Sequence, residues 1–396
     1  MINRTAHNTL LRLSRGFPVV AVTGPRQSGK TTLAKSAFPG KPYLTLEDPD
    51  TRLIAENDPR GLLYRYPDGL IIDEAQRAPQ LFSYLQGFVD KQVVPGKYVL
   101  TGSQQFGMLS GITQSLAGRA GLVQLLPFAM DELQSADKLP IDLDRLMLQG
   151  AYPPLYDREL SPSDWFPAYV NTYIERDVRQ LINVRNLSTF QRFIRMCAAR
   201  IGQLLNLSSL ASDCGITHNT AAAWISVLEA SYIIFMLRPH FTNFNKRLVK
   251  APKLYFLDTG LAAWLLGIRQ IDEIAFHAQR GALFENLVIT EFLKARYNRG
   301  QQADLYFWRD SKGLEVDMLM DDGISMTPLE IKSGKTIAPD FMTSLKKWCE
   351  LSGTPDRPAI LVYGGDKELA IGNVSIVPWG NLAELTIKGY DGAGSK

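Results

Sequence analysis

The sequence predicts an α/β protein whose first part is a parallel sheet buried on both faces. Short β-branched runs at Val19 to Thr23, Tyr43 to Leu46, Leu70 to Asp73, Tyr98 to Thr101 and Leu122 to Leu126 alternate with helical stretches such as Leu81 to Gln92, as strands sandwiched between helices do. A second helix-rich stretch and a third strand-and-helix group follow beyond residue 140. At roughly 150 residues per domain, 396 residues predict about two to three domains. Hydrophobic residues at 45% and charged residues at 21% exclude disorder of the whole chain. No stretch approaches the ~18 consecutive apolar residues of a membrane span.

The first strand, Phe17 to Thr23, runs into Gly24-Pro25-Arg26-Gln27-Ser28-Gly29-Lys30-Thr31, and Thr32 to Phe38 continues as a helix that Pro39-Gly40 would stop. This is the GxxxxGK[ST] pattern in the strand–loop–helix context that a phosphate-binding loop requires. Its glycines let backbone N–H groups curl around a β-phosphate, Lys30 offers a point charge to the β and γ oxygens, and the Thr31 hydroxyl suits Mg²⁺. Gly24 to Thr32 are therefore the expected ATP-binding residues. The run Gly69 to Glu74 is a second buried strand ending in two carboxylates: Asp73 would hold the Mg²⁺ shell, and Glu74 would orient or deprotonate the attacking water.

A third strand, Lys97 to Thr101, brings Thr101 and Ser103 to the carboxyl end of the sheet. Either would sense the γ-phosphate or the water, with Ser103 preferred, or both serve ordinary turn chemistry. Ser115 to Arg119 closes a short helix, and Arg119 reads equally as a solvated helix end or as a cation reaching a phosphate in its own or a neighbouring subunit.

Gly24 to Thr32, Ile72-Asp73-Glu74-Ala75-Gln76, Leu100-Thr101-Gly102-Ser103 and Ser115 to Arg119 together resemble the bacterial and archaeal AAA-type ATPases whose C-terminal half carries a nuclease-like domain. The resemblance spans nearly the whole chain. It implies an extra strand between the P-loop strand and the Asp73 strand, and a catalytic Glu beside the strand-end Asp, which Glu74 matches. Arg119 would then add charge stabilisation if a neighbouring subunit of a homo-oligomer brings it close.

Asp142 to Ala199 has a helical pattern, with Trp165, Tyr169, Tyr173 and Ile174 on one face, and predicts a helical lid. Within it, Tyr173 to Val178 resembles a segment of the same family, while Glu175 and Arg179 also read as an exposed i,i+4 pair. Leu207 to Glu229 reads as a helix-turn-helix, a Ser-led helix, a Gly-containing turn and a second capped helix. The strands Ile233 to Leu237 and Lys253 to Leu257 flank a basic, aromatic hairpin, Arg238 to Lys250, that would be its wing. Lys246, Arg247 and Lys250, with His218 and Asn219, would hold duplex DNA. Against this, Ala221, Ala222 and Ala223 stand where base-reading side chains belong, and winged helices also serve as protein interfaces.

The last group opens on a helix from Gln279 to Tyr297 carrying Glu285. Strands follow at Leu305 to Arg309, Leu314 to Met320 and Thr327 to Lys332. Helix Glu, strand Asp, then Glu-x-Lys is the order of PD-(D/E)XK nucleases, with Val316 where the name has Pro. Alternation puts Glu330 and Lys332 on one sheet face, where Asp317 would join them. In such a site Asp317 and Glu330, with Glu285, would bind Mg²⁺, and Lys332 would orient water or steady the phosphorane. The same fold also serves binding without cleavage.

The expected architecture is thus a P-loop NTPase parallel sheet (1–135), a helical lid (136–200), a winged helix (201–265) and a PD-(D/E)XK-like α/β domain (266–390), with a tail at 391–396. With 43 Lys+Arg against 40 Asp+Glu the net charge is +3, so a nucleic-acid site would have to be a local patch. Cys197, Cys214 and Cys349 form neither a disulfide framework nor a CxxC pair. Met1 to Leu13 lacks the apolar core of a signal peptide, and a cytoplasmic setting is expected. The function expected is ATP hydrolysis whose nucleotide state controls a DNA-associated, nuclease-like half. Its rival is a nucleotide-dependent switch that binds a partner protein or DNA without cutting.

Overall fold

A computed structural model describes residues 2–103, 105–158, 160–174, 187–240 and 249–388. The segment Glu175 to Val178 with Arg179, the wing residues Lys246 and Arg247, and the 391–396 tail lie outside the described residues. The chain forms two compact units. The first holds the chain up to Phe128 with Ala230–Tyr232 and Arg296–Gln302; the second holds Ala129–Glu229, Ile233–Ala295 and the chain from Ala303 on.

In the first unit the strands β1 (Val19–Thr23), β2 (Tyr43–Thr45), β3 (Leu70–Asp73), β4 (Tyr98–Gly102) and β5 (Ala120–Gln124) form one sheet in the order β2-β3-β4-β1-β5. Every pairing is parallel. β4 lies between β1 and β3, which is the extra strand that the resemblance implies. Parallel strands need helical crossovers, so both faces are covered and successive side chains bury on opposite sides. Val20, Val22, Ile71, Val99 and Val123 pack with Ala6, Leu10, Leu33 and Ala34 of the helices Ala6–Ser14 and Lys30–Ala37. Val19, Ala21, Leu70, Ile72 and Leu100 pack on the other face with Leu81, Phe82, Leu85 and Val89 of the helix Gln80–Lys91.

In the second unit an eight-stranded mixed sheet runs β12-β13-β11-β10-β9-β8-β6-β7. Its strands are β6 (Ile234–Pro239), β7 (Lys253–Phe256), β8 (Leu305–Arg309), β9 (Glu315–Asp321), β10 (Met326–Lys332), β11 (Ala359–Tyr363), β12 (Leu369–Ile371) and β13 (Val374–Pro378). The helix Leu207–Cys214 ends at Gly215, a turn follows, and the helix His218–Ala230 leads into the antiparallel pair β6–β7. β6 also pairs with β8, so β6 and β7 share one sheet with the strands of the last group. Trp308, Val316, Leu319, Leu345, Trp348, Leu361 and Ile376 form the core beneath the helix Thr343–Leu351. The three cysteines are buried and free. Among the described residues no helix is long and apolar enough to cross a membrane.

Candidate nucleotide site and a buried charge cluster

β1 delivers the chain to the carboxyl edge of the first sheet, and the loop Gly24–Gly29 joins it to the helix Lys30–Ala37. Gly24 has φ +149°, and a Cβ there would stand 2.1 Å from the Leu125 carbonyl oxygen of the neighbouring chain segment. Only glycine fits. The loop is held from outside by Arg4, whose guanidinium donates to Ser28 O at 2.6 Å and Leu126 O at 2.7 Å. Lys30 reaches back over the loop and donates to Gly24 O (3.0 Å) and Pro25 O (2.7 Å), which fixes its ammonium above the hollow that the backbone encloses. The Ser28 hydroxyl is buried in this loop with no hydrogen-bond partner among the described residues, as suits a loop shaped for an oxyanion.

The parallel register sets β3 so that Asp73 faces the start of the Lys30 helix. Thr31 Oγ1 donates to its carboxylate at 3.1 Å, Tyr43 OH donates to Oδ2 at 2.7 Å, and Thr101 Oγ1 donates to Oδ1. Burial, reinforced by the Asp73 charge, pushes the Tyr43 phenol up, so it remains a donor. A hydroxyl beside a fixed carboxylate is the hard oxygen pair that Mg²⁺ takes, so Thr31 and Asp73 fit the metal expected there.

Glu74 departs from the strand. Its backbone is left-handed (φ +54°), a conformation costing a non-glycine residue about 1–3 kcal/mol, and its side chain takes partners different from those of Asp73. Ser103 Oγ donates to Glu74 Oε2 at 3.0 Å, and Gln76 Nε2 donates to the same oxygen. The two hydroxyls of β4 and its extension thus divide the work: Thr101 holds Asp73, and Ser103 holds Glu74. Asp73, Glu74, Ser103 and Lys30 are all buried.

Arg119 is not part of this gathering. It stands just before β5, at the amino edge of the sheet, where Ala120 is in register with Val19. The P-loop leaves β1 from the opposite edge. There Arg119 pairs with Asp90, Nη2 to Oδ2 at 3.0 Å, on the surface.

In the second unit, alternation along the strands puts Glu315 and Asp317 of β9, Glu330 and Lys332 of β10, and Lys253 and Tyr255 of β7 near Glu285 of the helix Arg280–Asn298. The β9–β10 ladder stops at Met318–Leu329. Beyond it the Asp317 side chain replaces the ladder by accepting Ile331 N–H at 2.8 Å. Lys332 lies 2.5 Å from Glu330 and 3.6 Å from Asp317. Lys253, only 4% exposed, lies 3.0 Å from Glu285 and 2.5 Å from Glu315, and Tyr255 OH donates to Glu285. Arg280 ties the start of the helix to the end of β10 through Ser333 O at 2.9 Å and to Asp144.

Burial pushes Glu330 up to about 8, with the Asp317 charge adding to it and Lys332 opposing. Burial also raises Glu285, with Lys253 opposing. For Lys253 and Lys332 burial works against the charge, but the surrounding carboxylates outweigh it and hold both ammoniums above the ordinary lysine range.

The expected residues Glu285, Asp317, Glu330 and Lys332 are therefore brought together. One oxygen of each carboxylate is engaged, Glu285 Oε1 by Lys253 and Tyr255, Glu330 Oε1 by Lys332 and Asp317 Oδ2 by the Ile331 N–H and Lys332, while Glu330 Oε2 is buried with no hydrogen-bond partner among the described residues. Lys253 and Lys332 are the two ammoniums paired with the four carboxylates Glu285, Glu315, Asp317 and Glu330.

Lys253, Tyr255 and Glu315 escaped the sequence reading. Glu315-x-Asp317 alternation and a lysine within the otherwise apolar Lys253 to Leu257 run were the available signals. Tyr43 had no local signal, since only parallel pairing of β2 with β3 brings it to Asp73. His218, Asn219 and Lys250 are exposed.

Residues 16–134 match the model of the AAA domain family. Residues 141–272 and 280–382 match two domains of unknown function, DUF8612 and DUF4143. Among solved structures the chain is similar to the Walker-type ATPase PABY2304 of Pyrococcus abyssi, at 14% identity, TM-score 0.45, covering 67% of this chain and 96% of that one. It is also similar to the RuvB Holliday junction branch migration motor of Thermotoga maritima, at 17% identity, TM-score 0.32, covering 60% and 90%. Two uncharacterized mycobacterial proteins, Rv2008c of Mycobacterium tuberculosis and Mb2031c of Mycobacterium bovis, are each 32% identical to this chain over 348 residues, 87% of its length and 76% of theirs. The chain belongs to the family of these two mycobacterial proteins.

Proposed function

We propose that the protein hydrolyses ATP in its first unit, with Glu74 acting on the attacking water, and that its second unit acts as a nucleotide-dependent binding module. The observation that carries this reading is the division of hydroxyls between the two acidic side chains, Thr31, Tyr43 and Thr101 on Asp73 and Ser103 on Glu74. It separates a metal-holding carboxylate from a water-facing one.

The loop Gly24 to Thr31 cradles the β-phosphate with its N–H groups, and Lys30 exchanges its carbonyl partners for β and γ oxygens. Thr31 and Asp73 hold Mg²⁺, which when bound neutralises charge developing on the terminal phosphate. Glu74, held by Ser103 and Gln76, takes the proton of the water.

For the second unit, the helix-turn-helix and the β6–β7 hairpin support a winged helix. The exposed His218, Asn219 and Lys250 supply a surface for a DNA backbone. Lys253 and Lys332 each pair with two carboxylates of the cluster, which supports the binding reading.

ATP turnover of the full chain, measured with duplex DNA, single-stranded DNA and no DNA across a salt series, tests the proposal. Stimulation by DNA that fades with salt, without Mg²⁺-dependent nicking, is the expected result. Nicking abolished by Asp317→Ala would restore the nuclease reading, and turnover indifferent to DNA would remove DNA from the function.

A further inference from the structure

Two arginines flank the P-loop and share one carboxylate oxygen. Arg26, the third residue of the loop, lies 3.6 Å through Nη1 from Glu47 Oε1, and Arg77 lies 3.5 Å through Nη2 from the same atom. The placement follows from the sheet. β2 continues past Thr45 with Leu46 N donating to Asp73 O at 3.0 Å, so Glu47 emerges at the carboxyl edge beside Asp73 and Glu74. Arg77 follows Glu74 by one 3₁₀ turn, its N–H on Glu74 O at 3.0 Å.

Both guanidiniums are largely withdrawn from solvent, at 10% and 21% side-chain exposure, whereas the Glu47 side chain is 52% exposed. The separations exceed the 2.7–3.2 Å of a formed N–H···O bond. This is a loose ion contact, and a half-exposed pair of that kind contributes little. A terminal phosphate offers several acceptor oxygens and more charge than one carboxylate, and guanidinium matches it geometrically.

We infer that Arg77, together with Arg26, is a γ-phosphate contact, and that Glu47 is a stand-in acceptor which holds both arginines while no γ-phosphate is present. The inference rests on the ATP-binding reading of the first unit. ATP draws the arginines from Glu47 onto its terminal phosphate; ADP leaves them there. The pair therefore discriminates ATP from ADP, adding to the contact that Lys30 makes with the γ oxygens.

The test is competition of ATP and ADP, each with Mg²⁺, against a fluorescent nucleotide on the full chain, for wild type, Arg77→Ala, Arg77→Lys, Glu47→Gln and the double variant Glu47→Gln/Arg77→Ala. Losing a charge-assisted contact to phosphate weakens ATP binding about tenfold. Arg77→Ala is expected to do so while leaving ADP affinity in place, with Arg77→Lys in between. Glu47→Gln is expected to tighten ATP several-fold and ADP not at all, and the double variant to lose that gain. Equal weakening of ATP and ADP by Arg77→Ala and by Glu47→Gln would assign the trio a structural role and overturn the inference. Thermal melts of each variant separate misfolding from lost contact, with Arg77→Lys retaining the charge if Arg77→Ala fails to fold. Wild type that binds neither nucleotide would overturn the ATP reading itself.

Discussion

Lys253→Met removes the ammonium from the most enclosed part of the charge cluster. Methionine retains much of the apolar stem, so packing is largely kept, and the loss is the compensation of Glu285 at 3.0 Å and Glu315 at 2.5 Å. Breaking a buried ion pair by deleting one partner costs about 3–5 kcal/mol. At ~2–4 °C per kcal/mol for a unit of this size, the midpoint falls by about 6–20 °C. The sign with pH follows from the carboxylates. Burial already raises Glu285 above its ordinary range with Lys253 opposing, so removing Lys253 raises it further. A carboxyl group raised in the folded state contributes stability that is present at low pH and lost as pH climbs through its folded value, so the penalty is larger at pH 8 than at pH 5.5. All six tryptophans (Trp165, Trp224, Trp264, Trp308, Trp348 and Trp379) lie in the second unit, so urea melts followed by tryptophan fluorescence report on it alone. Arg119→Ala, which breaks an exposed pair in the other unit, is the control. A penalty under about 1 kcal/mol, or one identical at both pH values, would refute the view that Lys253 is the balancing charge of the cluster.

Three further outcomes are expected. Gly24→Ala abolishes nucleotide binding measured by titration, because its Cβ would meet Leu125 O at 2.1 Å; retained binding would show that the loop yields. Tyr43→Phe removes one donor from Asp73, and a hydrogen bond worth about 1 kcal/mol lowers turnover about fivefold with a raised Mg²⁺ requirement, readable from Mg²⁺ titrations of the ATPase rate. Glu330 is raised to about 8 in the fold, against ~4.3 for an unfolded Glu. Its contribution is complete below the unfolded value and is lost as pH rises through about 8, so fluorescence melts of wild type weaken over that window and Glu330→Gln flattens the dependence.

The nucleotide site was legible because its parts are local. Gly24 to Thr31 is contiguous, and Asp73, Glu74, Thr101 and Ser103 each stand at the end of an apolar run whose burial a parallel sheet dictates. Tyr43 and Glu47 were not legible, since strand order rather than local pattern brings β2 beside β3. In the second unit the order of Glu285, Asp317, Glu330 and Lys332 foretold their convergence. The neutralising role of Lys253 was hidden because its strand belongs to a hairpin read as a separate domain. The pairing of β6 with β8 joins that hairpin to the same sheet. The strands after Lys332 and the helix Thr343–Leu351 carry no chemistry-bearing motif and went unread, although Trp348, Leu361 and Ile376 supply much of that core.

The most direct test of the central claim is a single-turnover measurement on the full chain with Mg²⁺-ATP, following bound ATP and released phosphate together in wild type, Glu74→Gln and Lys30→Ala. The account predicts that wild type binds and cleaves, that Glu74→Gln binds ATP with near-normal affinity and fails to cleave it, and that Lys30→Ala fails to bind. Cleavage by Glu74→Gln at the wild-type rate would contradict the assignment of Glu74 as the residue that acts on water.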